Sequence, residues 1–166
     1  MTFIGVISDH KIFENINIHL KNEKFRLIHI NKKSIENIKN IRFETIIIDS
    51  NLENFKQEEN IIEQICLNSK YLVINTDINL KFNISNNKIN MITYGLNQKA
   101  TVTVSSITDT DVLIYLQRNI QTVTNETVEV GEKRIKIDEG SKLKIYEILI
   151  IYIIFLINNN CIIEQI

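Results

Sequence analysis

Residues 3–30 read FIGVISDHKIFENINIHLKNEKFRLIHI, and they alternate an apolar run, an amphipathic segment and a second apolar run. Phe3–Ile7 is the continuous apolar run expected of a strand covered on both faces, and Arg26–Ile30 predicts the next strand. Between them apolar residues recur at helical spacing, and Ser8 and Asp9 are placed to cap that helix. This order of strand, helix and strand predicts a parallel α/β sheet.

The same alternation continues through the first half of the chain. Thr45–Ile48 and Tyr71–Ile74 are further apolar runs, and each is followed at once by Asp or Asn. Ser34 is placed to cap a short helix, and the apolar residues between Ile61 and Cys66 predict another. Because each crossover helix buries an apolar face on the sheet, we expect a mostly parallel sheet flanked by helices.

From residue 88 the pattern changes to strands with little helix between them. Residues 89–93, 101–107 and 112–116 are strand candidates. Residues 127–137, TVEVGEKRIKI, predict a hairpin that turns near Gly131. We therefore expect antiparallel strands in the second half of the chain.

The last apolar segment predicts a helix that opens near Gly140 and ends before Asn158. The apolar residues within 143–157 are too continuous for one stripe, so we expect this helix to be buried, or to bind a protein partner or a second copy. The stretch Ile148–Ile157 makes about 15 Å of helix, half of a bilayer core of roughly 30 Å, so no membrane span is predicted. The whole chain, residues 1–166, is expected to form a single α/β domain.

Charge and composition narrow the class of protein. The chain carries 19 basic and 20 acidic residues, which gives no general attraction to nucleic acid or to an anionic membrane. Ile, Asn and Lys dominate while only Ala100 represents alanine, a skew typical of an AT-rich bacterial genome. Cys66 and Cys161 lack metal-ligand spacing, and the N-terminus lacks a signal-peptide pattern. We therefore expect a reduced, cytoplasmic protein without a metal site.

Residues 92–107, ITYGLNQKATVTVSSI, predict a strand that closes in Thr-Tyr-Gly, a polar turn and a second strand that begins near Ala100. Residues 71–79, YLVINTDIN, predict a strand that ends in Asn and Asp. In this order the segments resemble the central, ATP-binding domain of the Mur ligase family, the amide ligases that add amino acids to peptidoglycan precursors. The resemblance extends from Ile4 to Ile157, and it implies an antiparallel strand after the polar turn.

The chain departs from that family where the family binds its nucleotide. Family members carry a GxxGKT loop, in which backbone amides, a Lys and a hydroxyl group hold the phosphates and Mg²⁺. The equivalent stretch here, IGVISDHKIFEN, keeps Gly5 and Lys11 but lacks the second glycine and the hydroxyl residue, and Asp9 adds a carboxylate that would repel phosphate. Because the resemblance takes up almost the whole chain, we also expect the two flanking ligase domains to be absent. The resemblance therefore implies a scaffold that has lost the ligation reaction.

We accordingly expect a non-catalytic domain, without catalytic residues or a cofactor, that binds a protein partner or a small ligand and is linked to cell-wall assembly or its regulation. The alternative is a residual nucleotide-binding protein, or an ATP-dependent ligase-like enzyme, in which Lys11, Asp49 and Asp77 surround a phosphate of ATP with Mg²⁺. A second alternative is a degenerate receiver-like regulator, because FETIIIDSNL at residues 43–52 resembles the strand that carries a receiver's phosphoacceptor Asp.

Three further residues are candidates for contact with a ligand. Asp9, His10 and Asn75 follow predicted strands, and open α/β sheets bind ligands at the carboxyl ends of their strands. Asp and Asn are also common helix caps and turn formers, so a purely structural role is the competing interpretation.

Overall fold

The computed structural model of the chain describes residues 2–21, 24–80, 88–158 and 164–166. Contacts between Cα atoms divide the chain into two compact units, Met1–Met91 and Ile92–Ile166. The division follows closely on the change of sequence pattern at residue 88. A single domain over the whole chain stays a prediction.

The first unit alternates strands and helices. Its elements are β1 (Thr2–Ile7), α1 (His10–His19), β2 (Phe25–His29), α2 (Ile35–Ile38), β3 (Thr45–Ile48), a 3₁₀ turn (Glu53–Phe55), α3 (Glu59–Leu67) and β4 (Tyr71–Asn75). The strands lie in the order β4-β3-β1-β2, and the three pairs are all parallel. The α/β class and the parallel sheet predicted for the first half are confirmed.

Burial of both faces of the central strands explains their continuous apolar sequence. All four residues of β3 are buried, and so are the last four residues of β1. One face carries Ile46 and Ile48, which belong to a buried cluster with α2, α3 and the segment that follows β2. Gly5 lies under this cluster, because a Cβ there would come within 2.6 Å of Cδ1 of both Ile30 and Ile46. A side chain larger than hydrogen at this position would therefore force the ends of both isoleucine side chains to move.

The second unit is built mainly of antiparallel strands and one helix. Its elements are most of β5 (Asn90–Tyr94), then β6 (Val102–Ile107), β7 (Asp111–Leu116), β8 (Ile120–Gln121), β9 (Thr127–Val128), β10 (Gly131–Lys136) and α4 (Ile145–Ile157). Four of the strands lie in the order β10-β7-β6-β5, and β7 is antiparallel to both of its neighbours. β8 and β9 form a separate antiparallel pair. Antiparallel strands and a C-terminal apolar helix are confirmed.

The predicted hairpin over residues 127–137 is wrong. β9 pairs with β8, whereas β10 starts at Gly131 and pairs with β7. The hairpin turn lies instead between Thr122 and Glu126, where Asn125 takes a left-handed conformation (φ 65°) and the Glu126 N–H donates to the Thr122 hydroxyl. Asn tolerates this conformation better than most residues, so an Asn and not a glycine makes the turn.

The strand after the polar turn is also not antiparallel to the one before it. β5 and β6 meet in parallel through a single pair, Tyr94 with Val102. Threonine side chains take the place of a ladder here, because the Thr101 N–H donates to the Thr93 hydroxyl at 2.9 Å. The two hydroxyl oxygens lie 3.1 Å apart. The connection between β5 and β6 is therefore not a hairpin turn.

The C-terminal helix begins later than predicted, because Gly140 adopts a left-handed conformation (φ 86°) and Lys144 is still extended. Every residue of α4 is buried or half-buried, as its continuous apolar sequence predicts. Its first turn includes Glu147, whose buried carboxylate accepts the Lys144 N–H at 2.7 Å. In the described parts of the chain, no helix combines the length and the apolar character needed to cross a bilayer.

Candidate functional site

A groove of about 860 Å³ lies at the carboxyl ends of the parallel strands in the first unit. Its lining comes from Ser8 and Asp9 after β1, from residues 30–32 after β2, from residues between 49 and 55 after β3, and from Ile78 after β4. The carboxyl edge is where open parallel sheets present their loops to ligands. The volume is within the range of roughly 300 to 1,000 Å³ that small-molecule sites occupy.

Asp49 occupies this groove in a fixed orientation. It follows β3 directly, and its backbone N–H donates to the Ile7 carbonyl at 2.8 Å. The residue is only 8% exposed, and its Oδ1 accepts a hydrogen bond of 2.7 Å from Nδ2 of Asn75. Asn75 is itself buried at the end of β4, and its Oδ1 accepts the N–H of Asp77 at 2.9 Å. One amide thus orients the groove carboxylate and closes the turn after β4.

The side of the groove after β2 is held by an asparagine turn. Oδ1 of Asn31 accepts the N–H of Lys33 at 2.9 Å and that of Ser34 at 3.1 Å. This is the local hydrogen bonding by which Asn competes with regular structure, and here it leads the chain into α2. The Ser34 hydroxyl donates to the His29 carbonyl at 3.0 Å, which ties the turn back to the end of β2.

The predicted ligand-edge residues fall into two groups. Asp9 and Asp49 line the groove, and Asn75 is the partner that orients Asp49. Although Asp9 is at the N-cap position of α1, its side chain makes no capping hydrogen bond. His10 does not line the groove; it is exposed, and its Nδ1 lies 3.4 Å from Oε2 of Glu14.

Two of the three predicted nucleotide-binding residues lie away from the groove lining. Lys11 is exposed on α1, and Asp77 is exposed in the turn after β4. Neither belongs to the groove lining that contains Asp49. Of the three residues of the proposed remnant site, only Asp49 therefore lines the groove.

Several polar groove residues are not among those that the sequence predicts to contact a ligand. They are Ser8, Asn31, Lys32, Ser50, Asn51, Glu53 and Asn54. The signal was present in the sequence, because a polar run follows each apolar run that forms a strand. Ligands bind at the carboxyl ends of parallel strands, so every polar residue in these runs, and not only the acidic ones, is a candidate for the groove.

The groove carries an excess of negative charge. Among the lining residues that the structure describes, Asp9, Asp49 and Glu53 face one cation, Lys32, so three carboxylates minus one ammonium give a net charge of -2. A smaller cavity of about 200 Å³ shares Glu53 with the groove and adds Lys56 and Glu59. Within the ranges that the structure describes, no cluster of three or more His, Cys, Asp or Glu residues is placed to hold a metal ion.

The buried thiol is not a nucleophile for this site. Burial, and secondarily the charge of Glu63, raises the pKa of Cys66 to about 12. A thiol reacts as its thiolate, so Cys66 is inert at neutral pH. It belongs to the apolar cluster of the first unit, in which free cysteine is an ordinary component.

No protein-family model matches the chain, and no curated protein matches it. The Mur ligase resemblance therefore depends entirely on the residues quoted in the sequence analysis.

Proposed function

We propose that the chain is a non-catalytic relative of the Mur ligase central domain that binds a small polar molecule in the groove of its first unit. The observation that carries the proposal is the groove of about 860 Å³ at the carboxyl edge of the parallel sheet, with Asp49 held in place there by Asn75. A carboxylate oriented by a buried amide is a preorganised partner for a hydrogen-bond donor or a cation.

The charge of the groove indicates the class of ligand. Three carboxylates against Lys32 repel phosphate groups, so a nucleoside triphosphate is disfavoured. Hydroxyl, amide and ammonium groups of a ligand would instead find acceptors in Asp9, Asp49 and Asn51. We therefore propose a polar ligand without net negative charge, such as a sugar, an amino sugar or a zwitterionic amino acid. These classes fit a role in cell-wall assembly or its regulation, which remains part of the proposal.

Nuclear magnetic resonance of the ¹⁵N-labelled chain tests this function. We add N-acetylglucosamine, glucosamine and D-alanine in turn, each up to about 10 mM. At this concentration a ligand is detected even when its binding free energy is only a few kcal/mol. We expect at least one of them to shift the backbone amides of Ser8, Asn31 and Ser50. If none of these compounds moves those amides, the proposed ligand class is wrong.

A matched pair of variants localises the binding. Asn51 lines the groove and is exposed, so Asn51→Trp should fill part of the groove and abolish the shifts. Asn40 is exposed but does not line the groove, so Asn40→Trp should leave them unchanged. Equal effects of the two substitutions would place the ligand elsewhere.

The nucleotide alternative is tested by calorimetric titration with ATP and Mg²⁺. A dissociation constant below roughly 100 μM, about -5.5 kcal/mol, would favour residual nucleotide binding over the present proposal. Lys11→Ala should then weaken that binding. The exposed position of Lys11, outside the groove lining, argues for the opposite result.

Binding of a protein partner or a second copy through residues 143–157 is a separate proposal. Because every residue of α4 is buried or half-buried in the single chain, the helix offers a partner little exposed surface. Sedimentation at high micromolar concentration decides this, since a dimer that dissociates in a Phe155→Lys variant would support it.

The receiver alternative is weakened by the antiparallel strands, because a receiver sheet is entirely parallel. A cytoplasmic location is also proposed. Its basis is that the spacing of the two cysteines does not suggest a structural disulfide, and proteins of reducing compartments usually lack such disulfides.

A further inference from the structure

His29 joins two sides of the groove. Its half-buried ring lies at the end of β2, with Nε2 2.9 Å from the carbonyl oxygen of Ser8 and Nδ1 3.5 Å from Nδ2 of Asn31. Ser8 and Asn31 both line the groove. Phe13 stacks on the ring, with 4.8 Å between the centroids and 16° between the planes. The imidazole is therefore held in one orientation between the segments that follow β1 and β2.

The partners of the ring determine which protonation state fits. A carbonyl oxygen can only accept, so Nε2 carries the hydrogen in the bond to Ser8. The orientation of the Asn31 amide is set by its Oδ1, which accepts two backbone N–H groups and leaves Nδ2 toward the ring. Because Nδ2 can only donate, Nδ1 of His29 must be bare. The site fits the neutral imidazole that is protonated on Nε2.

We propose that His29 is a proton-controlled tie that sets the shape of the groove. In its neutral form the ring holds the Ser8 and Asn31 sides together. A proton on Nδ1 would set an N–H group against the amide donor of Asn31, and two donors repel. Asn31 would then turn away and weaken its bonds to the backbone that leads into α2. The inference rests on the proposed function, because the shape of the groove matters only to a molecule bound in it.

The consequence is that ligand binding weakens as the pH falls. A ligand that fits the closed groove prefers the neutral ring, and linkage then requires the ligand to oppose protonation by the same factor. Among the described residues, the titratable groups on α1 nearest the ring are His10, whose ring centroid is 5.5 Å away, and Glu14, which contacts His10. The charged residues in the two segments that the ring joins are Asp9 after β1, and Lys32 and Lys33 after β2.

The first test needs no ligand. The ¹⁵N spectrum of the histidine rings in the full chain reports the tautomer of His29 at about pH 8, and a titration to about pH 5 reports its protonation. We expect the Nε2–H tautomer at the higher pH, and we expect the backbone amides of Lys33 and Ser34 to shift together with His29. An Nδ1–H tautomer, or amides that do not follow His29, would overturn the inference.

Two variants separate the tie from its neighbours. His29→Gln keeps an amide that can donate to the Ser8 carbonyl but cannot gain a proton, so the shifts of Lys33 and Ser34 should disappear. His10→Gln removes the neighbouring exposed histidine, and these shifts should remain. Persistence of the shifts in His29→Gln would also overturn the inference.

The second test measures binding. N-acetylglucosamine is the probe, because it carries no group that titrates in this range. We expect it to bind at least about fivefold more weakly near pH 5.5 than near pH 8, and less than about twofold more weakly in His29→Gln. Equal affinity at both pH values would overturn the inference. If the probe binds at neither pH, the proposed function loses this ligand, and the amide titration still decides whether His29 is the tie.

Discussion

Asn75 donates a hydrogen bond of 2.7 Å from its side-chain amide to Oδ1 of Asp49, and both side chains are buried. The two residues end adjacent parallel strands, since β3 pairs with β4. Asn75 also accepts the Asp77 N–H, so both the nitrogen and the oxygen of its side-chain amide are hydrogen-bonded. The orientation of a groove carboxylate is therefore set by a buried residue that is not part of the groove lining.

The first prediction is that Asn75→Leu destabilises the fold, because it keeps the approximate volume but removes both the donor to Asp49 and the acceptor of the Asp77 N–H. A buried carboxylate that loses a hydrogen bond costs about 2 to 3 kcal/mol in the free energy of unfolding. Urea unfolding measures the loss. Asn79→Leu, at an exposed position in the same segment, is the control and should change stability by less than about 0.5 kcal/mol. Equal losses in both variants would show that the Asp49 contact does not matter.

The second prediction concerns Asn75→Asp, which sets a second carboxyl beside that of Asp49. Two carboxylates at hydrogen-bond distance cannot both stay ionised at low cost, so the pair in the folded variant retains a proton to a higher pH than in the unfolded chain. Such a raised pKa favours folding at low pH. The stability deficit relative to the parent should therefore be larger near pH 7.5 than near pH 5. A deficit independent of pH would mean that the carboxyls do not interact.

The sequence predicted which segments form strands better than which strands pair. Continuous runs such as Thr45–Ile48 can be buried only inside a covered sheet, so their conformation follows from local composition. Pairing depends on residues far apart in the chain, and this is why β10 was assigned to β9 and not to β7. The glycine at 131 suggested a turn, whereas Asn125 makes it.

The sequence predicted the edge of the sheet at which the groove lies, but only some of the residues that line it. Strand ends that are adjacent in the sheet brought Asp9, Asp49 and Asn75 to one edge, as the parallel order requires. Lys11 and Asp77 could not be excluded from the groove by sequence alone. Lys11 lies on α1 and Asp77 lies in the turn after β4, and only the three-dimensional structure shows that neither residue lines the groove.

The third prediction is that Gly5→Ala destabilises the first unit. The added Cβ would meet Cδ1 of Ile30 and of Ile46 at 2.6 Å, and overpacking of this kind costs about 1 to 3 kcal/mol. Gly131→Ala, where nothing lies within 4 Å of the added Cβ, is the matched control and should be nearly neutral. Ile46→Val removes one clashing methyl group, so the double variant should recover part of the loss. Failure to recover would point to a backbone effect.

The fourth prediction is that Cys66 resists thiol reagents in the folded protein. Burial first, and then Glu63, raises its pKa to about 12, so at pH 8 only on the order of one thiol in 10,000 is ionised. In a Cys161→Ser variant, which leaves Cys66 as the sole cysteine, labelling by Ellman's reagent should be at least about 1,000-fold slower than for a free thiol. Labelling in urea should recover the free-thiol rate. Fast labelling without urea would contradict the burial of this residue.

The fifth prediction is a loss of stability in alkaline solution. Burial first, and then the negative charge of Glu44, raises the pKa of Tyr71 to about 12, above the value of about 10 expected in an unfolded chain. A raised pKa means that the folded state holds the proton more tightly, so this contribution to stability is complete below about pH 10 and is lost as the pH rises toward 12. Tyr71→Phe should reduce the fall in urea-unfolding free energy above about pH 10. Glu44→Gln, which removes only the second cause, should reduce it less, and an unchanged fall in both variants would assign the alkaline loss to other groups.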